Sequence, residues 1–200
     1  MYMGDVKSKT FLDTNASSDT YVATAARPTT TFTLANSSFG TNTARKITAT
    51  TAGTSDNGKT ITIVGKDHNN EDATEVITLT GSAETSSGTT TAFLTITSAT
   101  VSAQPAANVS LGMTADVFGS IFQGRTRVRQ VNAESGGAIG SVLFRNGSLT
   151  GTALLTVRTG ATAGDINTVN IPQDGILYKD GAFVTFDETQ CNSATVYFDG

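Results

Sequence analysis

The sequence predicts an all-β protein with two small antiparallel β-sandwich or barrel-like domains, preceded by an extended N-terminal arm. Threonine occupies 37 of the 200 positions, and much of it alternates with apolar residues. A period of two places successive side chains on opposite faces of a strand, so that one face is buried and the other is solvated. Clusters of Gly, Asn and Asp separate the alternating runs about every 8–12 residues, which is typical of sandwiches and barrels.

Composition restricts the class of protein. Apolar residues make up 38% of the chain, charged residues make up 15%, and the formal net charge is −4. An acidic chain is not expected to bind nucleic acid, and no apolar run reaches the roughly 18–20 residues of a membrane span. Small β domains bury only about 60–70% of their unfolded surface, so we expect a homo-oligomer, most simply a cyclic trimer.

Residues 1–28 are expected to form the extended arm, because they are polar, weakly patterned and end at Arg27-Pro28. Their few large apolar side chains are expected to insert singly into grooves on a neighbouring subunit, with the arm flexible in the free protein. The alternative is a disordered leader without a role. The start of the chain lacks the apolar core of a secretory signal, so we expect folding in the cytoplasm. The candidate contact residues of the arm are Tyr2, Phe11, Leu12 and Tyr21.

The first β domain is predicted over residues 29–113. Its clearest feature is a hairpin in which two alternating runs, 60–65 and 75–80, flank the polar turn 67–72. Further strands are expected at 31–34, 46–50, 92–97 and 109–112. In the hairpin we expect a shared buried face formed by Ile61, Ile63, Ile77 and Leu79, with Thr62 and Thr78 on the other face.

Residues 114–124 interrupt the alternation and are interpreted as a connector. Phe118, Ile121 and Phe122 have the i, i+3, i+4 spacing of one helical turn, although Gly119 weakens that prediction.

The second β domain is predicted over residues 125–200. Its strands are expected at 126–132, 140–145, 153–158, 167–171, 175–179, 182–186 and 194–198.

The turn at 67–72 begins like a calcium-binding loop, with Asp67, Asn69 and Glu71 at alternate positions. An EF-hand needs Gly at its sixth position and a bidentate Glu at its twelfth, where Asp72 and Thr78 stand instead. A solvated turn is the preferred interpretation, and an irregular calcium site at the hairpin tip is the alternative. No metal or cofactor is predicted.

Catalytic patterns are weak in this sequence. His68 is the only histidine and Cys191 the only cysteine, so neither an internal disulfide nor a histidine cluster can form. The two residues lie in separate predicted domains, which argues against a Cys-His pair. No nucleophile elbow, phosphate-binding loop or recognisable carboxylate pair is present. We predict that the chain is not an enzyme and that Cys191 is a semi-buried structural residue.

Arginine alternates through residues 125–129. Strand periodicity places Arg125, Arg127 and Arg129 on one face, with Val128 on the other. Arginine pairs with carboxylate through a planar fork, so the stripe is a candidate contact for an acidic partner. The alternative is a solvent-facing edge strand whose charges discourage aggregation.

Two parts of the chain resemble modules of tailed-phage virion proteins. Gly65–Asp67 and Thr74–Thr78 match a β module in which a strand ending in Gly-x-Asp leads into a Thr-Glu-x-Ile-Thr strand. Residues 141–147 and 151–157 are similar to a second small module that is common in marine phages, and residues 194–198 resemble its closing strand.

The resemblance implies a phage virion structural protein and supplies no catalytic residue. The narrower hypothesis is a capsid decoration, or cement, protein that is made in the host cytoplasm, binds the major capsid protein on the outer shell and stabilises the shell. The alternative is a tail component, such as a fibre, knob or adaptor, that contacts the host or assists tail assembly. A tail enzyme that degrades polysaccharide is the third class, and it would require paired carboxylates.

Overall fold

The computed structural model describes residues 5–13, 15–51, 53–80, 86–172 and 174–200. The fold is all-β with antiparallel sheets, as the sequence predicts. It divides into two compact units, neither of which is a continuous stretch of chain. Unit 1 comprises Met1–Asn15, Gly40–Thr43 and Asp116–Gly200, and unit 2 comprises Ala16–Phe39 and Ala44–Ala115.

The described strands follow in chain order, with a single 3-10 turn at Thr54–Asp56 between the third and fourth. They are β1 (Lys7–Leu12), β2 (Ala23–Ala26), β3 (Ala44–Thr51), β4 (Thr60–Asp67), β5 (Asp72–Thr78), β6 (Ser86–Val101), β7 (Val109–Phe122), β8 (Thr126–Ser135), β9 (Gly140–Asn146), β10 (Ala153–Thr159), β11 (Ile166–Asn170), β12 (Ile176–Tyr178), β13 (Ala182–Asp187) and β14 (Cys191–Asp199).

Unit 2 contains the strand order β7–β3–β6–β4–β5, with β2 also paired to β7. The predicted hairpin is confirmed: β4 and β5 pair in the register Ile61↔Ile77 around the turn that follows Asp67. Each of the four predicted core residues of the hairpin is at most 2% exposed, and Thr62 and Thr78 lie on the more exposed face. The alternation of apolar and polar residues predicts this hairpin correctly because the two strands are adjacent in sequence, so that one local pattern specifies their pairing.

The strand expected at residues 31–34 is wrong as an independent element. Only Thr31 forms an isolated bridge, to Thr100, and the N–H of Phe32 donates to the carbonyl of Ala99 at 2.9 Å. Phe32 is 4% exposed and belongs to the core of unit 2. The segment thus contributes its side chain to the core while making only scattered contacts along β6.

Unit 1 contains two strand orders, β1–β14–β8–β11 with β12 also on β8, and β10–β9–β13–β7. Side chains connect these two groups. Asn167 of β11 donates to the carbonyl of Arg158 on β10 at 2.8 Å, and the Lys9 ammonium on β1 donates to the carbonyl of Ser120 on β7 at 2.7 Å. Polar side chains therefore cover sheet edges that would otherwise present free backbone groups.

Within the predicted connector at 114–124 the helical turn is wrong, because residues up to Phe122 continue β7 as an extended strand, although the division between the two units falls inside this segment. β7 belongs to unit 2 up to Ala115 and to unit 1 from Asp116. Val117 and Ile121 lie in the core of unit 1. The alternation is hidden because β7 is buried on both faces over most of this length, and a strand buried on both faces reads as a continuous apolar run.

The predicted N-terminal arm is also wrong for the described residues of the segment 1–28. β1 pairs antiparallel with β14, from Lys7↔Phe198 to Leu12↔Ser193, and β2 pairs with β7. Phe11 is fully buried in the core of unit 1. It lies over Gly119 of β7, where a Cβ would collide with the Phe11 ring. The segment looks polar because it contributes only a few core side chains, and its pairing partners are far away in sequence.

Candidate partner-binding surface

Arg127 and Arg129 lie near the start of β8, inside a sheet, whereas Arg125 lies in the bend immediately before this strand. β14 pairs with β8 on one side, and β11 and β12 pair with it on the other. Val128 is fully buried, whereas Arg127 and Arg129 are half-buried and Arg125 is exposed. Arg127 and Arg129 therefore lie on the outer face, but the edge-strand alternative is wrong because β8 has partners on both sides. An interior strand holds its side chains on a rigid backbone.

Arg129 has an acidic partner in its own chain. Its Nε and Nη2 lie 2.7 and 2.5 Å from Oδ2 of Asp199 on the neighbouring strand β14. The hydrogen bond to Asp199 raises the pKa of the Arg129 guanidinium above its usual value. The prediction that the stripe needs nearby acid is thus satisfied internally for one arginine of the three.

Arg125 and Arg127 have no carboxylate partner among the described residues. Nη1 of Arg127 donates to the backbone carbonyl of Asp174 at 3.2 Å, which fixes its direction without neutralising its charge. Arg125 makes no hydrogen bond or ion pair within the described ranges of the chain. Both arginines line a cleft of about 220 Å³ at this end of unit 1. The other residues of the cleft are Thr126, Leu177, Asp199 and Gly200.

The outer face of this sheet continues from the arginines as an uncharged polar surface. The strand register gives two cross-strand rows, in which hydroxyl and amide side chains stand side by side. Gln130 donates to the Asn132 side chain at 3.1 Å. The positive charge of the face is therefore confined to one end. The rows are Thr10, Thr195, Asn132 and Thr168, and Ser8, Tyr197, Gln130 and Asn170.

Two of the four arm residues predicted to contact a neighbouring subunit, Phe11 and Tyr21, pack inside this chain instead. Phe11 is fully buried in unit 1, and Leu12 is 37% exposed. Tyr21 packs against the core of unit 2, with its ring centroid 5.8 Å from that of Phe39, and its hydroxyl donates to the carbonyl of Ser38. Tyr2 lies outside the described residues. Phe11 and Tyr21 thus pack within their own units.

The turn after β4 is stabilised by its own carboxylate. Oδ1 of Asp67 accepts the backbone N–H groups of Asn69 and Glu71 at 2.8 and 3.0 Å. Burial lowers the pKa of His68, so the imidazole is neutral at pH 7. Within the described ranges no group of three His, Cys, Asp or Glu residues has the arrangement of metal ligands. The Asp67 carboxylate therefore closes the turn through hydrogen bonds to its backbone.

Cys191 is a buried thiol. Its Sγ donates to the carbonyl of Ser193 at 3.1 Å, and burial raises the pKa of the thiol to about 12. The thiol is therefore protonated at neutral pH, whereas a reactive cysteine needs a lowered pKa. Cys191 belongs to unit 1 and His68 to unit 2.

Sequence reasoning missed a buried carboxylate in unit 2. Asp56 is fully buried, and it accepts the N–H groups of Ala106 and Ala107 at 2.6 and 2.9 Å and the Lys59 ammonium at 2.7 Å. Burial alone would raise the pKa of Asp56, but these hydrogen bonds lower it to about 2. The only sequence signal is an Asp and a Lys three residues apart around Asn57-Gly58. Asp56 organises a loop and is not a binding residue.

Comparisons with models of protein families, with curated proteins and with solved structures found no match to this chain. Among the described residues, no helix has the length and apolarity needed to cross a membrane.

Proposed function

We propose that this chain is a structural protein of a tailed-phage virion, and more narrowly a capsid decoration protein that binds the outer surface of the shell. The observation that supports this role best is the pair Arg125 and Arg127, two positive charges without a carboxylate partner at one end of a rigid sheet face. The partner is the major capsid protein, through acidic groups on its outer surface.

Charge complementarity favours a specific contact over general adhesion. The chain carries a formal net charge of −4, so most of its surface repels an acidic partner. Arg125 and Arg127 together attract one, and a local pair of positive charges restricts the orientations in which the protein docks. The interior position of β8 means that binding does not require ordering of the backbone.

Stabilisation of the shell follows from mass action. A protein that binds only the assembled lattice shifts the equilibrium toward it, by about 2.7 kcal/mol per site when the free concentration is a hundred times Kd. Bridging of neighbouring capsomers needs more than one contact, which a homo-oligomer supplies. We propose a closed trimer for that reason.

A tail component that contacts the host is the second candidate. The specific observation in its favour is Tyr197, an aromatic side chain in a row with the amides Gln130 and Asn170 on the uncharged outer face. Amide and hydroxyl groups around one aromatic ring suit a sugar. Tyr197 is the only aromatic residue in those two rows, so a sugar would have one ring to stack on. The arginine end offers two charges to an acidic partner, and we therefore prefer the capsid role.

The copy number of the chain in purified virions tests the proposed function. A decoration protein follows the lattice and is present in on the order of hundreds of copies, whereas a tail component is limited to at most tens by the axial symmetry of the tail. Quantitative mass spectrometry against the major capsid protein measures this ratio. A tail-like number, or absence from virions, would overturn the capsid assignment.

A further inference from the structure

We propose that the cleft beside Arg125 and Arg127 binds one carboxylate side chain from an acidic segment of the partner protein, together with an aliphatic residue next to it. This inference rests on the proposed function, because it names the chemical group that the same surface takes on the shell. It names a carboxylate side chain as the ligand of the cleft that Arg125 and Arg127 line.

Size sets the first limit. The cleft has a volume of about 220 Å³. One or two side chains fit in this space, and a folded loop does not. The ligand is therefore a side chain presented by a convex or extended segment.

The positive charge beside the cleft also restricts which ligand can bind there. Arg129 is neutralised by Asp199, so the net positive charge of the stripe comes from Arg125 and Arg127. The planar guanidinium suits a planar carboxylate, with which it forms paired hydrogen bonds. Two guanidinium groups facing one cleft favour binding of one carboxylate between them.

The acidic groups around the arginines exclude a long polyanion. Asp199 lines the cleft itself. The charge of Asp174 acts on Arg129 and contributes to raising the pKa of that guanidinium, which places its carboxylate nearby. A nucleic acid strand would bring successive phosphates against both carboxylates, whereas a single carboxylate bound between the arginines brings one negative charge past Asp199.

Leu177 supplies the apolar part of the site. It stands opposite Arg127 in the pairing of β12 with β8, and it is half-buried on the wall of the cleft. In a convex turn, where adjacent side chains do not alternate strictly, the neighbour of a bound Glu or Asp would lie toward Leu177. An aliphatic neighbour would gain apolar burial there, of about 25 cal/mol for each Å².

The test is a titration of the full chain with two peptides, acetyl-Leu-Glu-Gly-amide and acetyl-Leu-Gln-Gly-amide, monitored by NMR of the arginine Nε–Hε groups. The glutamate peptide should shift the signals of Arg125 and Arg127 saturably, and the glutamine peptide should not. Arg125→Gln/Arg127→Gln should weaken binding at least about tenfold, which corresponds to about 1.4 kcal/mol. Arg158→Gln is the matched control, because Arg158 is an exposed arginine on β10 of the same unit.

The control experiments distinguish specific binding of a carboxylate from general attraction of anions. If sodium sulfate at the same concentrations shifts both arginines as strongly as the glutamate peptide, or if Arg158→Gln weakens binding as much as the double variant, the carboxylate assignment is overturned. No shift with the glutamate peptide overturns it as well. The copy number of the chain in virions is independent of these results, so failure of the cleft and failure of the capsid role are distinguishable.

Discussion

Unit 2 uses several of its charged groups inside its fold, whereas unit 1 has two arginines beside a cleft without a carboxylate partner among the described residues. In unit 2, Asp56 and Arg45 are fully buried, and the Glu75 carboxylate accepts the N–H groups of Thr90 and Thr91 at 2.6 and 2.8 Å. Each carboxylate supplies the acceptor that a loop or strand segment would otherwise lack. These charged groups of unit 2 therefore stabilise its structure, while Arg125 and Arg127 of unit 1 face a cleft.

The cores of the units also differ in how they are assembled. In unit 2, Ile61, Ile63 and Ile77 come from one hairpin whose strands are adjacent in sequence. In unit 1, the core depends on Phe11, which is supplied by a strand that pairs with the last strand of the chain. Local alternation therefore specifies the first core, while the second requires closure of a long loop.

Removal of the Phe11 ring is expected to have the largest effect on stability. Phe11→Ala leaves a cavity over Gly119 and should lower the free energy of unfolding by about 3–5 kcal/mol. Leu12→Ala is the matched control, since Leu12 is the next residue of β1 and is 37% exposed. Thermal denaturation followed by circular dichroism measures both variants. Equal stability of Phe11→Ala and Leu12→Ala would restore the interpretation of residues 1–28 as an arm outside the core.

Ile63→Ala tests the hairpin core of unit 2. Ile63 is fully buried, so its truncation should cost about 2–4 kcal/mol. Val76→Ala, at an exposed position of the same hairpin, should change stability by at most about 0.5 kcal/mol. Chemical denaturation with a probe of each unit would show which transition moves. A variant Ile63→Ala that melts at the wild-type temperature would contradict the register.

The fold was predictable where the pairing is local, and it was not where the partner is distant. The hairpin and every strand expected after residue 125 are present, with shifts only at the ends. The strands β1 and β2 were missed because their short polar runs become strands only through pairing with β14 and β7. Gly112 and Gly119 within β7 were the available signal, since an isolated glycine in a strand indicates close approach of another segment.

Asp56→Asn should have an intermediate effect. The substitution replaces a charged acceptor of three hydrogen bonds and should lower the free energy of unfolding by about 1.5–3 kcal/mol at neutral pH. Chemical denaturation at pH 7 measures the difference, and no change would mean that the loop bearing Ala106 and Ala107 does not depend on the carboxylate.

The same variant should alter the acid sensitivity of the protein. The pKa of Asp56 in the folded state is about 2, below its usual 3.8, so its stabilising contribution is fully present above about pH 4 and is lost as the pH falls toward 2. The stability difference between wild type and Asp56→Asn should therefore shrink over that interval. A difference that stays constant from pH 7 to pH 2 would contradict the lowered pKa.

The candidate site was predictable in part. Alternation correctly placed Arg127 and Arg129 opposite the buried Val128. It did not reveal that Asp199, 70 residues further along the chain, neutralises one of them. Nor did it reveal the cleft, because Leu177 reaches Arg127 only through the pairing of β12 with β8.

The most direct test of the account is the occupancy of mature capsids, stripped of this protein, by the Arg127→Glu variant. Arg127 is half-buried with one backbone hydrogen bond, so the melting temperature should stay nearly unchanged. Occupancy should fall relative to wild type and to the matched control Arg158→Glu, and added salt should weaken wild-type binding because exposed pairs are screened within about 8–10 Å. Equal occupancy by Arg127→Glu, Arg158→Glu and wild type would contradict docking through the arginine end of unit 1.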